Sequence, residues 1–308
     1  MAKMFDRSRI KTNPLESREN KHFVKDFFSL DYEPPEYTNK DLDILADRIV
    51  SARVKDKPVI WMMGAHLIRR GNSLFVIDLI KKGVITHIAT NGACAIHDFE
   101  FAYMNATCED VERYVKDGQF GNWEETGRLI NNAVSDGYRY GLGFGESVGN
   151  MINLSTKHRD ISVFAYACMK GIPITVHKSI GQDITDQHPS ADYEALGGAS
   201  GRDFLIFAET ISKLEGGGVF LNLGTQVMGP EVYLKALSMA RNVANQNGWK
   251  ITDFITAVFD IREDPDYFFR PKKTILERTV KDGGESFYIQ GDFALTTPHL
   301  YRKIVEKL

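Results

Sequence analysis

The 308-residue chain has little cysteine: Cys94, Cys108 and Cys168 are the whole set. Three scattered thiols make no disulfide framework, and without a CxxC pair they make no zinc site. Reduced thiols point to a cytoplasmic setting. No run reaches the ~18 apolar residues that a membrane span needs. The first twenty residues, MAKMFDRSRIKTNPLESREN, are polar throughout and contain no apolar signal core, so no secretory leader is expected. An excess of either charge is missing as well. The formal net charge is -3, and the short basic pair Arg69-Arg70 is too small to argue for nucleic acid.

Three signature motifs are absent. Without GxGxxG the classical dinucleotide fingerprint is missing, and without GxxxxGK[ST] there is no phosphate loop. Without G-x-S-x-G there is no nucleophile elbow of a serine hydrolase.

The composition present is that of a soluble globular protein, with 43% hydrophobic and 26% charged residues. Residues 1–40 are polar, are closed off by Pro34-Pro35, and read as an arm packed on the body or on a neighbouring subunit. From residue 41 the pattern alternates. Short apolar runs (KPVIWMMGA, VITHIATNGA, IPITVH, GVFLNLG, DFITAVFDI, ESFYIQGD) read as buried strands. Between them lie segments with helical spacing, such as SLFVIDLIKKG, PEVYLKALSMARNVANQNG and TPHLYRKIVEKL. Strands separated by helices of this length require crossover connections. The expectation is an α/β fold, a doubly wound, mostly parallel sheet forming one domain over residues 41–308.

In such a sheet ligands bind outside the carboxyl ends of the strands. Those ends are rich in small and polar residues: GAH (64–66), TNGA (90–93), SIGQDITDQH (179–188), NLGTQVMGPE (222–231), DIREDPD (260–266) and GDFA (291–294). Glycine lets a phosphate approach the backbone, and a following helix N-terminus supplies donors. Glycine at a strand-to-helix corner also serves packing alone.

His97-Asp98 has two readings: an acid–base group, or a helix-capping pair facing solvent. Asp183, Asp186 and His188 lie close together in QDITDQH. A metal site there is weaker than carboxylates holding a cationic substrate, and a solvated loop is the plain alternative. Gly181 and Pro189 oppose a strand in this segment. Cys94, beside the glycine turn, is the cysteine expected nearest the site.

Four stretches together resemble the deoxyhypusine synthase family: GAHLIRRGNSLFVIDLIKKGVITHIATNGACAIHD, DISVFAYACMKGIPITV, GGGVFLNLGTQVMGPEVYLKAL and ESFYIQGDFALTTPHLYRKIV. The resemblance extends over roughly residues 40 to 308. It implies a Rossmann-like deoxyhypusine synthase-type fold, NAD as cofactor, a small-molecule amine such as a polyamine as substrate, and a homo-oligomer, dimer or tetramer. It implies that Gly64, Thr90, Asn91, Gly92, Ala93, Gly224 and Thr225 line the dinucleotide. Asp292 would hold its adenosine end. His97, Asp98, Asp183 and Asp186 would carry the chemistry and the amine, and no metal is implied.

The family's active lysine follows an Arg-Pro. After Arg270-Pro271 this chain has Glu277, Arg278 and Thr279 in the corresponding places, with Lys281 out of register. An imine on an enzyme lysine needs a neutral amine in the site and is therefore not expected. The chemistry then reads as NAD-dependent transfer or oxidation. The alternatives are a non-catalytic binding protein on the same fold, or a CoA transferase or hydrolase using the same sheet edge.

Overall fold

The computed structural model describes residues 2–263, 265, 266 and 268–308. Its frame is a six-stranded, all-parallel sheet: β1 Val59–Met63, β2 His87–Thr90, β3 Ile174–Val176, β4 Gly218–Leu223, β5 Phe254–Asp260 and β6 Glu285–Gln290. All six strands match the apolar runs. β1, β4 and β5 are buried along their whole length, because both faces of the sheet are covered. β6 is an edge strand and is exposed at its start.

The spatial order is β3-β2-β1-β4-β5-β6. This is the order of doubly wound dinucleotide-binding sheets, whose ligand crevice lies where the winding reverses, between β1 and β4.

The helices are α1 Lys40–Val54, α2 Ala65–Arg69, α3 Ser73–Lys81, α4 Gly92–Met104, α5 Val111–Lys116, α6 Glu124–Arg139, α7 Phe144–Ser155, α8 Val163–Met169, α9 Ile184–Gln187, α10 Tyr193–Ile211, α11 Met228–Gln246 and α12 Phe293–Glu306. Strand alternation divides the core. Val59, Trp61 and Met63 face α1, α3, α4, α8 and α12, while Ile60 and Met62 face α10 and α11. The β2–β3 crossover carries five helices, α4 to α8, where one would suffice.

One expectation shifts. α12 begins four residues before the segment TPHLYRKIVEKL, because Asp292 caps it by accepting from Ala294 N. The arm packs on the body of its own chain. Its strand His22–Phe23 pairs antiparallel with Ala106–Thr107, and Arg7 donates to the carbonyls of His188 and Ala191 at 3.0 Å.

Two buried acids tie helix starts to the frame. Asp203 of α10 accepts from Val176 N (2.7 Å) and Gly145 N (2.9 Å), joining the end of β3 to α7. Asp98 of α4 accepts from Val163 N (2.9 Å), Phe164 N (3.2 Å) and the Ser162 hydroxyl, capping α8. Burial pushes Asp203 up to about 7 and Asp98 up to about 6, against the opposing pull of these hydrogen bonds.

Folding therefore takes up protons at these two groups. Their ionised forms cost stability as pH rises from the unfolded carboxylate value through about 6 and 7. The expected result is that the contribution of these two carboxyls to the unfolding free energy increases on acidification from pH 7 to 5, by up to ~1.4 kcal/mol per pH unit for each group, against the opposite contribution of the buried histidines His87, His97 and His177, whose values burial lowers. Urea titrations of the parent and Asp203→Asn across this range isolate the Asp203 part. The parent should gain stability relative to the variant as pH falls, and a constant gap between the two would refute the assignment.

Candidate functional site

The residues at the β1/β4 reversal pack backbone against backbone. Gly64 N donates to Leu223 O at 2.9 Å, and a Cβ on Gly64 would stand 2.6 Å from Gly224 O. Gly224 is left-handed (φ +70°), and a Cβ there would meet the Phe293 ring at 2.8 Å. Beyond it, Asn222 Nδ2 donates to Thr225 O (3.0 Å) and Gly229 N to Thr225 Oγ1 (2.8 Å). Gly64, Gly224 and Thr225 thus converge, with Asp292 one residue from Phe293. Asp292 caps α12 and pairs with Arg70 at 3.3 Å on the half-exposed rim.

A side chain at Gly224 therefore acts on the fold as well as on any ligand. Gly224→Val is expected to destabilise the fold by ~1–3 kcal/mol through its left-handed backbone alone. Thermal melts against the parent test it, and an unchanged melting temperature would show that the turn relaxes freely.

The second strand end is also closed by protein. Thr90 is buried and Asn91 caps α4, accepting from Cys94 N at 3.1 Å. At Gly92 a Cβ would lie 2.1 Å from Asp183 Oδ2, so the glycine makes room for that carboxylate. Asp183 and Asp186 each approach Lys178 Nζ at 2.6 Å, all three side chains being at least nine-tenths buried. The cation these acids hold is Lys178 of the same chain, which corrects their reading as holders of a free amine. Burial raises Asp183, and Lys178 opposes the shift. The segment after β3 is a loop with the single turn α9, as its Gly and Pro content suggested.

His97 and Asp98 separate. Asp98 faces inward as the α8 cap and is no partner of His97, because adjacent helical positions point in different directions. His97 faces a cavity of about 220 Å³. Its lining includes Arg18, Arg69, His97, Cys108, Glu109 and Asp183.

Glu100 anchors this wall. It takes Arg18 bidentately at 2.8 and 2.7 Å, both side chains being 1% exposed, and accepts from the hydroxyls of Thr107 (2.5 Å) and Thr126 (2.8 Å). Thr107 has spent its proton on Glu100, so it accepts from His97 Nδ1 at 2.7 Å. That assigns the tautomer: Nδ1 carries the proton and Nε2 is left with a lone pair. Burial, reinforced by Arg69 and Arg18 against Glu100, lowers His97 to about 4, so the ring is neutral at physiological pH.

Cys108 lies 3.7 Å from His97 Nδ1 and has left-handed backbone (φ +66°). Its carbonyl accepts from Lys21 N of the arm at 2.8 Å. Burial raises its thiol. Cys108, and not Cys94, is the cysteine at the cavity. Cys94 is fully buried, and burial pushes it up to about 12. Sequence reading also missed Arg18, Arg69, Glu109 and Lys178. Only Lys178 carried a signal, a lysine directly after an apolar strand and before two acids.

Lys281 is exposed in the turn that leads into the start of β6, at the sheet edge opposite the cavity. His188 packs on Gly127 and hydrogen-bonds Ser190 (2.7 Å). Among the described residues no cluster of three or more His, Cys, Asp or Glu could hold a metal ion. Asp264, within the fifth strand end, lies outside the described residues. No described helix is long and apolar enough to cross a membrane.

No family model and no curated protein matches the chain. Solved structures do. ArgZ, an arginine dihydrolase from the ornithine–ammonia cycle in Cyanobacteria, is 15% identical with a TM-score of 0.52, over 86% of this chain and 31% of ArgZ. A conserved LOR/SDH-type protein from Methanococcus maripaludis S2 is 14% identical with a TM-score of 0.53, over 89% of this chain and 72% of its own. AgrE, solved as a ternary complex with ornithine and NAD+, is 14% identical with a TM-score of 0.52, over 89% and 34%. The chain spans about a third of the length of ArgZ and AgrE. A deoxyhypusine synthase-type protein from Entamoeba histolytica overlays more loosely, with a TM-score of 0.48 at 10% identity, and carries no weight. At these identities the likeness establishes a related α/β fold and no family membership.

Proposed function

We propose that this protein is an NAD-dependent enzyme acting on an amine, with the dinucleotide at the β1/β4 reversal and the amine in the His97 cavity. The observation that carries the reading is the strand order, which puts Gly64 and Gly224 in contact at the crevice where such sheets bind dinucleotides. The residues there offer groups such a ligand uses: backbone at Gly64, Gly224 and Thr225, with the Phe293 ring standing beside Gly224, and Asp292 at the end of β6 for a ribose. Thr90, Asn91 and Ala93 border it on the β2 side, whereas Gly92 is taken up by Asp183.

Bound NAD would supply a hydride acceptor for the carbon that bears the amine. The chain's own contribution is a base. His97 Nε2 takes a proton from the amine, and the Thr107–Glu100 relay steadies the positive charge that the ring acquires. Lys178 is no candidate for an imine, since an ammonium engaged by two carboxylates offers no lone pair. The AgrE complex with NAD+ and ornithine lends support at the level of fold. A homo-oligomeric state belongs to the same proposal and is read by mass photometry.

Calorimetry with NAD, NADP and CoA tests the cofactor, and amine-dependent absorbance of NADH tests the reaction. Binding of NAD with amine-dependent reduction is the expected result. Binding of CoA alone would overturn the reading in favour of a CoA enzyme. Binding of NAD without reduction by any amine would favour a non-catalytic binding protein.

A further inference from the structure

Arg69 is the unusual cation of the cavity. Its Nη2 lies 3.1 Å from His66 Nδ1 and its Nη1 4.0 Å from Cys108 Sγ. Its Nε is buried without an acceptor. Among the described residues no carboxylate pairs with it. Arg18, in the same wall, is fully matched by Glu100. A guanidinium is a planar fork built for two oxygens, and one left inside a cavity without an acid is short of an oxyanion.

Opposite in charge is Glu109, which is 8% exposed. It accepts from Gly121 N at 3.1 Å and from Trp123 Nε1 at 2.8 Å, and it has no cationic partner among the described residues. Two neutral donors leave part of a carboxylate's acceptor capacity unused. The other acids of the cavity are spent: Glu100 on Arg18, Asp183 on Lys178. The cavity therefore exposes one unmatched cation and one unmatched anion.

We infer that the cavity binds an amino acid, its carboxylate on Arg69 and an ammonium group on Glu109, rather than a polyamine or a phosphate. This rests on the proposed reading of the cavity as the amine site and narrows its substrate class. A diamine would satisfy Glu109 and leave Arg69 facing a cation. A phosphate dianion would satisfy Arg69 and be repelled by Glu109. A zwitterion matches both. The size agrees: about 220 Å³ is below the ~300–1,000 Å³ of sites for drug-sized ligands, and suits a single small metabolite. Arg69 sits one turn after Gly64, and His66, its ring neighbour, packs against Phe293 at 5.9 Å between ring centres. The carboxylate end thus lies on the side of the cavity towards the β1/β4 crevice.

The test compares pairs that differ only by the carboxylate: L-ornithine with putrescine, and L-lysine with cadaverine. Calorimetry is run with and without NAD on the parent, Arg69→Gln and Arg69→Lys. Tighter binding of the amino acid in at least one pair is expected. Arg69→Gln should weaken that amino acid ~10–100-fold, the worth of a charge-assisted hydrogen bond, and leave the diamine unchanged or improved. Arg69→Lys keeps the charge, loses the fork, and should fall between. Melting temperatures exclude unfolding as the cause. Diamines that bind more tightly than the amino acids, with Arg69→Gln neutral, would overturn the inference and leave the amine reading intact. Binding of neither class would sink both. A loss of NAD affinity in Arg69→Gln, with amino-acid binding unchanged, would assign Arg69 to a dinucleotide phosphate and overturn the inference.

Discussion

Replacing Glu100 by alanine is expected to destabilise the protein by ~3–5 kcal/mol, the cost of leaving a buried charge without its partner. Glu100 and Arg18 are each 1% exposed, so water cannot take over for the lost carboxylate. Three donors lose their acceptor at once: the Arg18 guanidinium, the Thr107 hydroxyl and the Thr126 hydroxyl. Arg18 belongs to the arm, so the arm should loosen with it. Urea unfolding measures the energy, and limited proteolysis should reveal cleavage before residue 30 in the variant and not in the parent.

Burial pushes the Glu100 carboxyl up, but Arg18 outweighs it and the group sits below its usual range. A depressed acid contributes stability above its unfolded value and loses it as pH falls through the folded one. The gap between parent and Glu100→Ala should therefore narrow in acid. The double variant Arg18→Met/Glu100→Leu should recover most of the loss, because packed apolar groups replace a buried pair at little cost. A double variant as unstable as Glu100→Ala would mean that the two threonines, and not the ion pair, set the energy.

That anchor explains why the fold was legible in the sequence and the cavity largely was not. Val59–Met63 and Phe254–Asp260 read as strands because a sheet covered on both faces leaves continuous apolar runs. The glycines at 64 and 224 read as strand ends, and they do meet. The cavity depends on contacts far apart in the chain. Arg18 and Glu100 are 82 residues apart, and nothing local distinguishes Arg18 from any surface arginine. The two-residue strand Ala106–Thr107 is too short to give a period, yet its pairing with the arm brings Thr107 and Cys108 to His97. Asp98 was misread for the opposite reason. Beside a histidine it looks catalytic, and only the distant start of α8 reveals its use as a cap. Asp183 and Asp186 read as holders of a cationic substrate because the sequence does not show that Lys178, five residues before Asp183, folds back onto both.

His97→Asn is expected to lower amine-dependent NADH formation by ~10²–10⁴-fold, the range for loss of a general base. NAD affinity should hardly change, since His97 lies in the cavity and not at Gly64 or Gly224. The parent's kcat/KM should rise with pH through about 4 and stay flat above it as far as His97 is concerned. The sign follows from the lowered value: the ring is protonated, and useless as a base, only below about 4. Thr107→Val separates position from chemistry. It removes the acceptor of Nδ1–H while leaving the imidazole in place, so the ring loses the contact that presents Nε2 to the cavity. Its kcat should fall with KM little changed, and less than in His97→Asn. If His97→Asn turned over as fast as the parent, the base would have to be sought elsewhere in the cavity. Glu109 would then be the first group to replace, because it is the cavity acid with no cationic partner among the described residues, and burial raises its carboxyl.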